Sequence, residues 1–170
     1  LLNKAKPAKL LNKMIISGDK IANYKPQRSK IAATKHLRKL RAETRAAIKK
    51  ARSVVLIMGL PGAGKSTHAA AIDAPGLLVI DTCAPTPAHR EPLIRAARRA
   101  KIPIDCVFVN TPIRTCEIRR PQIPQAELYT MKAKLAPPRK SEGFRAVCYI
   151  QTTHDEEKND PAHAIKGNRS

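Results

Sequence analysis

Gly59, Gly64, Lys65 and Ser66 stand at the spacing G-x-x-x-x-G-K-[ST] within "VVLIMGLPGAGKSTHAAAI". That spacing suits phosphate chemistry. Gly59, Gly62 and Gly64 let the backbone curl, so that the N–H groups of Ala63, Gly64, Lys65, Ser66 and Thr67 turn inward on phosphate oxygens. The start of a following helix adds partial positive charge. Lys65 has the reach for β- and γ-phosphates, and the Ser66 hydroxyl suits the shell of Mg2+. The implied ligand is ATP or GTP with Mg2+. Asp81, at the end of "GLLVID", is a second candidate: it could cap the strand end or join Ser66 at the metal. Arg119 and Arg120, in "IRTCEIRRPQIPQAEL", are candidates for contact with a nucleic-acid backbone.

These residues need elements to hold them. "SVVLIMG" is a continuous apolar run of the kind found in a strand covered on both faces, and "STHAAAI" begins a helix. "GLLVID" and "IDCVFVN" repeat the strand pattern, with a helix over "HREPLIRAARRAK" between them. A further helix over "PQAELYTMKAKL" precedes a last strand, "FRAVCYIQ". Strands alternating with helices predict an α/β fold of the P-loop NTPase type, a parallel sheet flanked by helices over residues 52–150. Ligands of such sheets bind beyond the carboxyl ends of the strands, where the glycine loop falls.

Charge points to a polyanion. The 170 residues carry 33 Lys and Arg against 13 Asp and Glu, a net charge of +20. Residues 1–51 alone hold 15 Lys and Arg against Asp19 and Glu43, and read as a basic, partly helical N-terminal extension. From Ser29 as N-cap, Ala33, Leu37, Leu40, Ala47 and Ile48 fall near one helix face, with Lys35, Arg38, Lys39, Arg41 and Arg45 opposite. A second cationic helix carries Arg90, Arg95, Arg98 and Arg99. Both are candidates for RNA contact, with a solvated basic face as the alternative. With two Phe and three Tyr, there is little to stack on bases, so backbone and shape are the expected targets. Residues 151–170 read as a polar C-terminal tail.

No CxxC pair or metal-ligand spacing involves Cys83, Cys106, Cys116 or Cys148, which read as reduced, mostly buried thiols with no disulfide partner. No apolar run approaches the roughly 18 residues of a membrane span. An intracellular protein is expected. The basic, acid-poor start resembles an organellar transit region or a ribosomal extension, which favours the mitochondrial matrix over cytoplasm or nucleus.

Three stretches resemble polynucleotide 5'-kinases over about residues 53–150: the phosphate loop, "VIDTCAPTPAHREPLIRAARRAKIPIDCVFVNTP" and "KAKLAPPRKSEGF". The resemblance implies transfer of the γ-phosphate of ATP to a 5'-hydroxyl, with Asp81 as general base and Arg119 or Arg120, in the lid, stabilising charge that develops on the transferred phosphoryl group. The family has a further strand and helix between the phosphate loop and the V-I-D strand, where this chain has only Ser66 to Leu78. Pro121 and Pro124 also shorten the lid. These departures favour a nucleotide-binding, RNA-associated, kinase-like structural subunit of a ribonucleoprotein, such as an organellar ribosome, beside neighbouring subunits. The alternative is an active polynucleotide 5'-hydroxyl kinase.

Overall fold

Runs that cannot face water on either side end up between two layers of helices. The computed structural model describes residues 14–17, 41–72 and 74–152. Its strands are β1 (Met14–Ser17), β2 (Ser53–Met58), β3 (Leu77–Thr82), β4 (Ile104–Asn110) and β5 (Val147–Gln151). Its helices are α1 (41–50), α2 (Lys65–Ala71), α3 (Pro87–Ala100), α4 (Ile113–Arg119) and α5 (Gln125–Lys134). The strands are all parallel, in the order β1-β3-β2-β4-β5, with Val54 level with Leu78 on one side and Ile104 on the other. A parallel sheet flanked by helices, the α/β fold expected, is compatible with a P-loop-type fold.

Side chains alternate through the sheet with a period of two. Val54 and Leu56 of β2, Ile80 of β3 and Phe108 of β4 pack against Ala47 and Ile48 of α1, Ile94 and Ala97 of α3, and Phe144. Ile57, Val79 and Val109 point the other way, onto Ala69 of α2, Cys116 of α4 and Leu128 of α5. Pro121 and Pro124 have the expected effect: α4 stops before the first, and α5 starts after the second.

Two features depart from the sequence reading. Of residues 1–51, read as an extension, the described ones join the sheet domain: β1 pairs along β3, and Ala47 and Ile48 enter the core. The expected helix is described from residue 41; Lys35, Arg38 and Lys39 lie outside the described residues, as does the tail beyond Thr152. Arg90 is the second departure. Expected on the nucleic-acid face of α3, it is instead completely buried. It shares the inward stripe of α3 with Ile94 and Ala97, four and seven residues on. Its Nε and Nη2 each donate at 2.7 Å to a different carboxylate oxygen of Glu142, and Nη1 donates at 3.1 Å to the carbonyls of Ala84 and Ala136. Arg90 therefore ties α3 to the segment leading into β5, and no phosphate can reach it. Of the cysteines, Cys106 and Cys116 are buried while Cys148 is exposed, so only two fit the core expectation. Burial pushes the Cys106 thiol up to about 12, which leaves it inert.

Candidate functional site

The turn after β2 is shaped by what packs behind it. A Cβ on Gly59 would lie 2.4 Å from the Val109 carbonyl oxygen, so only glycine lets β4 approach this closely. Gly62 has φ of +81°, and a Cβ there would sit 2.8 Å from the Cys116 carbonyl oxygen on α4. The loop is thus clamped between β4 and α4. A third tether comes from Thr111, buried just beyond β4, whose hydroxyl donates to the Ala63 carbonyl at 2.8 Å. Thr152 in turn donates to Thr111 at 2.7 Å, which links the exit of β5 to the phosphate loop. Neither threonine carries a sequence signal, since each acts through partners about 40 residues or more away.

Lys65 is 9% exposed, and its Nζ donates at 2.8 Å to the Leu60 carbonyl, five residues back. An ammonium has three donors, so two stay available for phosphate oxygens. Ser66, exposed at the first turn of α2, donates through Oγ to Asp81 Oδ2 at 2.6 Å. Asp81 is 3% exposed, and its Oδ1 has no hydrogen-bond donor among the described residues. The loop and the end of β3 thereby bring a hydroxyl and a carboxylate together as hard oxygen ligands. No cluster of three or more His, Cys, Asp or Glu suited to a metal exists among the described residues. An ion on Ser66 and Asp81 would draw its other ligands from phosphates and water, as Mg2+ characteristically does.

Arg119 and Arg120 lie against the same loop. A guanidinium nitrogen of Arg119 is 3.8 Å from where a Cβ on Gly64 would sit, and the Arg120 stem comes within 3.1 Å of the same point on Gly62. Arg114, more exposed, pairs with Glu117 at 3.5 Å. Gly59, Gly62, Ala63, Gly64, Lys65, Ser66 and Thr67 thus converge with Asp81, Arg119 and Arg120 at the carboxyl ends of the strands. The other candidates lie elsewhere. Arg41 and Arg45 are exposed on α1, Arg98 and Arg99 on α3, and Arg95 pairs with Glu91 at 2.9 Å on the α3 surface. No helix among the described residues is long and apolar enough to cross a membrane. No protein-family model matches the chain, and neither does any curated protein.

Proposed function

We propose that the chain binds a Mg2+-nucleoside triphosphate, ATP or GTP, in the loop 59–67, and that it serves as a kinase-like, RNA-associated subunit of a ribonucleoprotein. The observation that carries the nucleotide half is the 2.6 Å bond from Ser66 to Asp81, beside Lys65 and Arg119. It sets a carboxylate where a phosphate-bound Mg2+ would meet the Ser66 hydroxyl. The net charge of +20 supports the RNA half. An organellar ribosome in the mitochondrial matrix is one particle that suits so basic a subunit. Neighbouring subunits would supply the rest of its surroundings.

Asp81 fits the metal role better than the base role. A general base must come within hydrogen-bond reach of the acceptor hydroxyl, and a carboxylate 3% exposed and held by Ser66 has little access to one. Without a base, the site retains binding and charge stabilisation, and transfer slows. The test is the metal dependence of nucleotide binding. Mg2+ should tighten ATP or GTP binding to the full chain, and should do so much less in Ser66→Ala and Asp81→Asn. Equal tightening in all three would refute the assignment.

A second reading, transfer of the γ-phosphoryl group to a 5'-hydroxyl of RNA or DNA, is favoured by one observation. Arg119 and Arg120 both reach the loop, where they could stabilise charge on the phosphoryl group in flight. Labelled phosphate on 5'-hydroxyl RNA, abolished by Lys65→Ala, would establish it. No transfer by wild-type chain that binds Mg2+-ATP would exclude it.

A further inference from the structure

Two groups of basic residues lie at opposite ends of the sheet. Everything at the phosphate loop follows a strand: the loop follows β2, Asp81 lies at the end of β3, and α4 follows β4. A second group precedes the strands. Lys49, Lys50 and Arg52 lead into β2, while Arg98, Arg99 and Lys101 lead into β4. Backbone bonds hold these turns side by side. Arg52 N donates to Gly76 O at 2.8 Å, Val54 N to Pro103 O at 2.9 Å, and Arg145 N to Ile104 O at 2.9 Å. All six cations are exposed, and none makes an ion pair among the described residues. Asp105, at the start of β4, is already engaged by Arg145 at 2.9 Å.

We infer that this amino-end rim is the RNA-docking surface, and that RNA bound there does not enter the phosphate loop. The inference rests on the RNA-associated reading above and places its contact. A strand of six residues at about 3.3 Å each puts roughly 20 Å between the rim and the loop. Cations in the last turns of α1 and α3 also complement the helix C-termini. That effect needs one or two of them, whereas six unpaired charges on adjacent turns repel one another unless a polyanion lies across them. RNA fits better than an anionic membrane. Among the described residues, the exposed large apolar side chains, Ile118, Tyr129 and Tyr149, lie on α4, α5 and β5, and none of them is on the rim to insert between lipids.

The test uses the full chain, a labelled RNA hairpin and Mg2+-ATP, with Lys49→Gln, Lys50→Gln, Arg98→Gln and Arg99→Gln combined. Each phosphate contact contributes about 0.7–0.9 to the slope of log K against log salt, so the slope should fall by roughly 3. Affinity at low salt should drop on the order of 100-fold, with ATP binding unchanged. Lys65→Ala should do the converse, losing ATP and keeping RNA. RNA binding that follows Lys65 or Arg119 instead of the rim would overturn the inference while leaving the nucleotide reading intact. A wild-type chain that binds RNA through the rim but binds no ATP would do the reverse. Unchanged RNA affinity in the rim variant would overturn it too, as would binding to anionic phospholipid vesicles without binding to RNA.

Discussion

Removing Glu142 should cost this protein a large part of its stability. The guanidinium of Arg90 is completely buried, and its two best hydrogen bonds, both 2.7 Å, go to that carboxylate. In Glu142→Ala the charge remains inside with only the two carbonyls at 3.1 Å for company. Leaving one partner of a buried ion pair unmatched costs about 3–5 kcal/mol. Glu142 is 14% exposed, so some water can replace it, and the lower end, about 3 kcal/mol, is expected. A domain has about 5–15 kcal/mol in all, so the loss should move the urea midpoint far. The exposed pair Arg95–Glu91, with both side chains 53% exposed, is the control, and Arg95→Ala should cost under about 0.5 kcal/mol. Arg90→Met combined with Glu142→Leu should recover much of the loss, since no charge is left buried. Urea unfolding followed by circular dichroism gives all four numbers. A Glu142→Ala loss under about 1 kcal/mol would refute the view that Arg90 is held by this pair.

Three further outcomes follow from the geometry. Burial opposes ionisation of Glu142, but the hydrogen bonds from Arg90 and the Arg139 backbone, with both charges, outweigh it and hold the carboxyl below its ordinary value. Its contribution is therefore full above that ordinary value and disappears as pH falls through the lowered one, so wild type should lose its advantage over Glu142→Gln in acid unfolding curves. Gly62→Ala should weaken nucleotide binding at least about tenfold, because the left-handed backbone alone costs about 1–2 kcal/mol and the Cβ must push α4 away; binding calorimetry reads it directly. Thr111→Val should destabilise the chain by about 1–3 kcal/mol by orphaning the Ala63 carbonyl, with Thr111→Ser close to wild type in thermal unfolding.

Legibility in the sequence followed the range of the interactions. The glycine-rich turn between β2 and α2 was readable because its glycines, lysine and serine act within eight residues, and the strands because an apolar run is its own signal. Arg90 was not, since its partner is 52 residues away and a helix arginine looks the same whether it meets solvent or a buried carboxylate. In the motif "SEGF" the core role of Phe144 was legible from its apolar type, whereas the duty of Glu142 as anchor of Arg90 was hidden. β1 went unread because four residues inside a lysine-rich segment are too short a pattern to separate from coil. The Thr152–Thr111–Ala63 chain is set only when β4 and β5 pair. The shared site of Ser66 and Asp81 was legible as two candidates, and their contact required β3 to lie beside β2.

A loop of this kind earns its place only if it holds a magnesium nucleotide. The most direct test is a calorimetric titration of the full chain with Mg2+-ATP and Mg2+-GTP, run beside Lys65→Ala. Saturable one-to-one binding of either nucleotide, weakened at least about tenfold in the variant as a lost charge-assisted contact of about 1.5–3 kcal/mol requires, is the predicted result. No binding, or equal binding by both proteins, would contradict it.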